Sequence, residues 1–151
     1  MWGQIVDEIE AIDQMRSGLA AGIVALDQSD ITEKTFEAVC KPAGMRLQQF
    51  AVKNGLRASQ QSVKNRNPKN ALDPKWKDDY RRFEKDSSLR AVTRSDGTYL
   101  RRIQVEAACL KCHGQTNDRP VFVVQKYPED RAHGFRVGQL RGLYVIEALA
   151  R

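Results

Sequence analysis

The sequence predicts an α+β fold in which helices come first and a mostly antiparallel sheet follows. Three observations predict it. Apolar residues recur at three- and four-residue steps from Trp2 to about Asn54, the signature of amphipathic helices. The period changes after Gly55. Two strand-like runs then flank Asp96-Gly97, a pair suited to a tight hairpin turn because Gly takes positive φ at little cost.

Each element has its own justification. Residues 2–28 read as one helix, with Trp2, Ile5, Val6, Ile9 and Ile12 forming an apolar stripe. Ser29-Asp30 interrupts it, and Asp30 with Glu33 has the spacing of a capping box opening a second helix. That helix carries Phe36, Val39 and Cys40 and is expected to stop near Pro42, which lacks an N–H and clashes with the preceding turn. Residues 43–54 are helical again, with Gly55 as the stop. Leu56 to Val63 reads as a polar strand, and residues 66–70 as a loop. Asp73-Pro74 opens a short helix with Trp76, Tyr80 and Phe83 on one side. Leu89–Arg94 and Thr98–Val105 form the hairpin. Residues 118–127 fit neither period. Gly134, Gly138 and Gly142 punctuate a loop, and Leu143–Leu149 closes the sheet.

The chain has 151 residues, the size of one domain. The expected domain spans 1–151, with a helical part at 1–55 and a sheet part at 56–151. Charged residues make up 29% and hydrophobic ones 41%, as in globular rather than disordered or fibrous proteins. No apolar run approaches the roughly 20 residues that span a bilayer, and the start Met1-Trp2-Gly3-Gln4 does not read as a cleavable signal peptide. The net charge is +6 and the pI about 9.4. The basic residues are scattered, and the densest stretch, 64–85, also holds Asp73, Asp78, Asp79 and Glu84. The charge therefore points to acidic partners rather than to nucleic acid.

Cys109-Leu110-Lys111-Cys112-His113 is a C-x-x-C-H motif, the attachment signature of a c-type haem. On a helical turn, positions i and i+3 share a face. Two thiols placed so form thioethers to the two vinyl groups of one porphyrin, and the next residue, His113, stands as the proximal iron ligand. One covalent haem c is expected. The alternatives for the thiols are a redox pair or, with Cys40 and a histidine, a zinc knuckle. Haem of this kind is attached on the exported side of the bacterial membrane, so the expected location is the periplasm, with a signal or anchor removed.

Met15, Met45, His133 and Cys40 are the candidates for the second iron ligand. Met raises the potential. Cys40 lies four residues after Phe36 on one helical face, so its side chain is expected to point inward. The three cysteines cannot close a disulfide framework, and a thiolate ligand would account for the third. Arg131, Arg136 and Arg141 are candidates to pair with propionates. Tyr127 and Phe135 are candidates to pack on the porphyrin, and Arg66 and Asn67 to fix a turn.

The segments Val63–Ala71, Cys109–Gly114, Tyr127–Arg136 and Gly138–Gly142 together resemble a bacterial family of c-type haem domains, grouped as a domain of unknown function. It occurs alone or as the exported sensing part of signalling receptors. The resemblance runs from the first helix to the last strand. It implies a PAS-like antiparallel sheet with long N-terminal helices, and it implies His/Cys ligation of iron. The histidine is His113, and the cysteine comes from an Ala-x-x-Cys-like stretch that Ala38-Val39-Cys40 fits loosely.

The expected function is an exported redox or diatomic-gas (NO or CO) sensor domain. The alternative is a low-potential electron-transfer cytochrome or a subunit of a cytochrome complex, serving an acidic redox partner. No acid–base pair stands out beside the motif, so an enzyme is not expected. The amphipathic first helix suits either core packing or a homo- or heterodimer contact.

Overall fold

A computed structural model describes residues 1–149. Residues 150 and 151, the end of the expected 56–151 part, lie outside the described residues. Helix α1 (Trp2–Ala21) buries Ile5, Ile9 and Ile12. Trp2 and Val6, expected on the same stripe, stay largely exposed. The ring of Trp2 lies at the hairpin turn instead, where a Cβ on Gly97 would stand 3.2 Å from Cζ2. The helix stops at Ala21 rather than 28, because Gly22 is a weak helix former and Ile23 and Ile31 turn back to pack with Ala20, Val39 and Ala108.

Helix α2 runs unbroken from Glu33 to Lys53, with Pro42 inside it. Two expectations are corrected here. The cap is Thr32, whose backbone N–H donates to Thr35 Oγ1 at 3.0 Å, not Asp30 with Glu33. Pro42 does not end the helix. Val39, Ala43, Leu47 and Ala51 form a buried stripe that crosses it, and packing along that stripe offsets the roughly 3 kcal/mol a proline costs in a helix interior.

Strands β1 (Leu56–Gln61), β2 (Ala91–Thr93), β3 (Tyr99–Gln104) and β4 (Leu140–Ala148) make an antiparallel sheet in the order β1-β4-β3-β2. The expected α+β class is therefore observed. Gly142 lies inside β4, opposite Ile103, not in a loop. A Cβ there would meet Gln61 O at 2.6 Å, so glycine permits the close approach of β1. The hairpin turn is as expected, with Gly97 at φ +82°.

Both faces of the sheet are covered, and residue alternation along the strands sorts them. Tyr99, Ile103, Tyr144 and Ile146 meet α1 and α2. Leu100, Leu143 and Val145 meet Trp76, Tyr80 and Phe83 on the opposite face, where a 3-10 turn (Pro74–Trp76) leads into α3 (Lys77–Lys85). Truncating a side chain as buried as Phe83 costs about 3–5 kcal/mol.

The two arginines of β3 follow the same alternation. Arg101 donates from Nε and Nη2 to Glu10 at 2.8 and 2.9 Å and from Nη1 to Asp13 at 2.8 Å, tying the sheet to α1. Arg102, on the opposite face, donates to the carbonyls of Phe83, Asp86 and Leu89.

The segment after β3 carries the motif. A 3-10 turn (Ala107–Cys109) passes directly into the short helix α4 (Leu110–His113). The stretch that fitted neither period forms α5 (Val121–Lys126). Among the described residues, no helix is long and apolar enough to cross a membrane.

Candidate functional site

The turn-plus-helix at 107–113 places Cys109, Cys112 and His113 along the wall of one cavity of about 190 Å³. Gly114 follows because a Cβ there would meet Leu110 O at 2.5 Å, so any larger residue would force the end of α4 apart. The next segment is pinned by backbone bonds from Gly134 N–H to Gly114 O at 2.5 Å and from Phe135 N–H to His113 O at 3.1 Å. Gly134 makes this possible at φ +72°.

His113 Nδ1 lies 2.7 Å from Ala132 O. That carbonyl can only accept, so Nδ1 carries the proton and Nε2 keeps its lone pair for a metal. Burial, followed by the charges of Arg141 and Arg66, holds the imidazolium form well below its ordinary range. The ring meets Phe135 edge-on, with centroids 6.2 Å apart.

Arg66 fixes this arrangement from behind. It donates to Asp130 Oδ1 at 3.1 Å, to Cys112 O at 2.6 Å and to Ala132 O at 3.0 Å. One side chain thus ties the attachment helix to the carbonyl that orients His113. The Asp130 carboxylate is fully enclosed and also receives Arg119 at 3.2 Å. Burial alone would raise its pKa. The hydrogen bond and charge of Arg66, with the Ala132 N–H and Arg119, outweigh that and hold it below the ordinary value.

Cys40, from the middle of α2, lines the same cavity, as do Phe36 and Val39 one turn or less away. Its side chain is exposed rather than enclosed as a small core residue, and that exposure is onto the cavity wall. The surrounding protein still dries the thiol enough to raise its pKa, with Cys109 adding to the effect. Burial likewise pushes Cys112 up to about 11, with Cys40 the next contributor. Of the other candidates for a second ligand, none lines the cavity. Met15 packs against the core between α1 and the sheet, Met45 is exposed, and His133 Nδ1 pairs with Thr116 Oγ1 at 2.9 Å.

Tyr127 lines the cavity. Arg131 and Arg136 do not. Both are exposed, and their backbone N–H groups bond Asn65 O and Gln139 Oε1. The cavity's cations are Arg16, Arg66 and Arg141. Asn67 does fix a turn, its Oδ1 accepting from Lys69 N–H at 3.0 Å, and it also lines the cavity.

Sequence reasoning missed Arg16, which donates toward Cys109 Sγ at 3.8 Å while bound to Asp13. It also missed Gln28, whose amide donates to Lys111 O and Asp118 O, both at 2.6 Å. Lys111 Nζ returns a bond to Leu26 O at 2.6 Å. These contacts join positions more than eighty residues apart, and no local pattern signals them.

Among the described residues, no three His, Cys, Asp or Glu side chains cluster so as to hold a metal ion by themselves. The cavity instead offers two thiols a helical turn apart, an imidazole nitrogen with a free lone pair, a further thiol from α2, an apolar wall and arginines. That donor set fits a covalently attached, iron-bearing porphyrin with acidic side arms.

Fold and site together define an α+β domain built round a cavity of thiols and one oriented imidazole. The chain belongs to the Tll0287-like family, whose pattern matches residues 4–148. It is similar to a solved structure, that of the cyanobacterial heme-protein Tll0287. The identity is 42% and the TM-score 0.87, over 99% of this chain and 95% of that one. No curated protein matches.

Proposed function

We propose that this chain is a monohaem c-type cytochrome domain. Cys109 and Cys112 are its thioether anchors and His113 and Cys40 its axial ligands. One observation carries the reading: Cys40, Cys109, Cys112 and His113, from two separate helices, line one cavity with Nε2 of His113 unprotonated. The likeness to a heme-protein at 42% identity supports it. When bound, the haem supplies a one-electron redox centre.

The chain's own groups define what that centre can do. The Ala132 carbonyl holds His113 in one tautomer, and Arg66 holds that carbonyl. Cys40 must lose its proton to serve as a thiolate, and burial favours the protonated thiol. Cys40 therefore has two chemical states, one that binds and one that does not. It sits in the middle of a 21-residue helix, so a change between those states bears directly on α2. This suits an exported, PAS-like redox or NO/CO sensor in the periplasm rather than an enzyme.

A specific observation favours the second reading, a low-potential electron-transfer cytochrome. Lys64, Lys69, Arg131 and Arg136 belong to the segments bordering the cavity, and none has an ion-pair partner among the described residues. They offer an acidic redox partner a place to dock.

The test is an absorption spectrum of the purified protein, ferric, then reduced, then with CO. Expected are a Soret band, ferric thiolate charge-transfer features that Cys40→Ala abolishes, and CO binding after reduction. Without a Soret band after expression with haem maturation, the cytochrome reading fails. Thiolate features that survive Cys40→Ala remove Cys40 as ligand. A reduced form indifferent to CO supports electron transfer over sensing.

A further inference from the structure

We infer that Arg141 is the carboxylate anchor of the cavity, receiving one propionate side arm of the porphyrin, with Lys64 beside it. The inference rests on the haem reading above and deepens it.

Charge matching inside the cavity motivates it. Arg16 is paired with Asp13 at 3.0 Å, and Arg66 with Asp130 at 3.1 Å. Arg141 has no carboxylate within ion-pairing distance among the described residues. Its one described side-chain hydrogen bond runs from Nη1 to Lys64 O at 3.2 Å. A guanidinium has five N–H donors, so most of its capacity is free.

Its surroundings make matters worse rather than better. Burial, then the positive charge of Arg66, lowers the Arg141 pKa to about 10. Lys64 is lowered by burial and then by Arg141 itself. Both cations stand over the Phe135 ring, with Lys64 Nζ 4.1 Å and Arg141 Cζ 5.5 Å from its centroid. The backbone of Arg141 is held firmly, its carbonyl accepting from Ser62 Oγ at 2.7 Å. A half-buried, fixed, unmatched cation is costly unless an anion meets it.

The lining of the cavity says which anion. The helices, with Ile23 just past α1, contribute the apolar residues Ala20, Ile23, Phe36, Val39 and Phe122. Gln60 of β1, Ser62 just past it, and Asn67 and Asn70 of the turn at 67–70 also line it, and Ser62 bonds the Arg141 carbonyl. The lining therefore combines apolar side chains with polar ones and a guanidinium that has no ionic partner among the described residues. A broad apolar ligand with a carboxylate arm matches both kinds of lining, and a carboxylate's two oxygens match the fork of an arginine.

The experiment compares the haem-loaded wild type with Arg141→Gln and Arg141→Lys. Three readings are taken: haem content, the propionate-bending band in resonance Raman, and the midpoint potential with and without added acetate. Expected for Arg141→Gln is unchanged haem content, since Cys109 and Cys112 hold the group. The propionate band shifts. The midpoint also falls, because losing a positive charge beside the carboxylate favours the ferric state. Arg141→Lys, which keeps the charge without the fork, restores the midpoint in part.

Two results overturn the anchor alone: haem-loaded Arg141→Gln with an unmoved band and midpoint, or a wild type whose midpoint responds saturably to acetate in a way Arg141→Gln abolishes. The second would mean that Arg141 takes a free carboxylate rather than a side arm. A wild type that carries no haem overturns both this inference and the reading beneath it. If Arg141→Gln does not fold, the Raman band of Arg141→Lys decides, since a one-point cation cannot reproduce a two-point contact.

Discussion

At the scale of single residues, Arg66 and Asp130 link the attachment motif to the rest of the chain. Asp130→Asn removes the enclosed carboxylate that both Arg66 and Arg119 address, and breaking a buried pair costs about 3–5 kcal/mol. Chemical unfolding at neutral pH checks this. The sign of the pH dependence follows from the lowered Asp130 pKa. Its stabilisation is fully present above the ordinary value of 3.8 and is lost as pH falls through the lower folded value. Between those two values the wild type should lose part of its advantage over Asp130→Asn. An advantage constant down to the end of that window would show that the charge contributes nothing. The motif residues were legible because C-x-x-C-H is a local pattern whose chemistry sets its spacing. Arg66 was not, since nothing in Asn65-Arg66-Asn67 announces that its partners lie at 112, 130 and 132.

At the scale of elements, the sequence shows helices and hairpin through their periods, while packing decides their ends. The hairpin at Asp96-Gly97 follows from turn chemistry, and the strand expected over Leu56–Val63 forms over Leu56–Gln61. Helix α2 does not. Local rules end it at Pro42, and the buried stripe from Val39 to Ala51 carries it through. That makes Pro42 a source of local instability. Pro42→Ala restores an N–H facing the Ala38 carbonyl, at the cost of a more flexible unfolded chain. The expected net gain is about 1–2 kcal/mol, with Tm several degrees higher in a thermal melt. A lower Tm would mean that the proline shapes the helix for the cavity that Cys40 lines. Residues 121–126 were opaque for a different reason. Val121 and Val124 are exposed while Val123 is buried, and six residues are too few to display a period.

At the scale of the whole molecule, the cavity lies where separate apolar clusters meet. One contains Ala20, Ile23, Val39 and Ala108 with Cys112 and Phe122. Another contains Val105, Ala132 and Phe135 with Cys109 and Leu110. A protein made without haem, for instance Cys109→Ala with Cys112→Ala, should therefore be less stable. At ~24 cal/mol per Å³, a cavity of about 190 Å³ corresponds to about 4–5 kcal/mol, or roughly 10 °C or more in Tm. Equal melting of the haem-free and haem-loaded forms would show that the fold does not lean on the group. The position of the cavity was not legible in the sequence, because it rests on contacts that only the folded chain assembles. The ion cluster over the sheet carries a consequence of another kind. Arg101 is enclosed and divides its donors between Glu10 and Asp13, which stand one turn apart on α1. Glu10 is shared with Arg90 and Asp13 with Arg16, so of the three it is the enclosed Arg101 that depends on the others for its counter-charge. Over evolutionary time an arginine can then persist at position 101 only while position 10 or 13 stays acidic, whereas either acid can outlast the arginine.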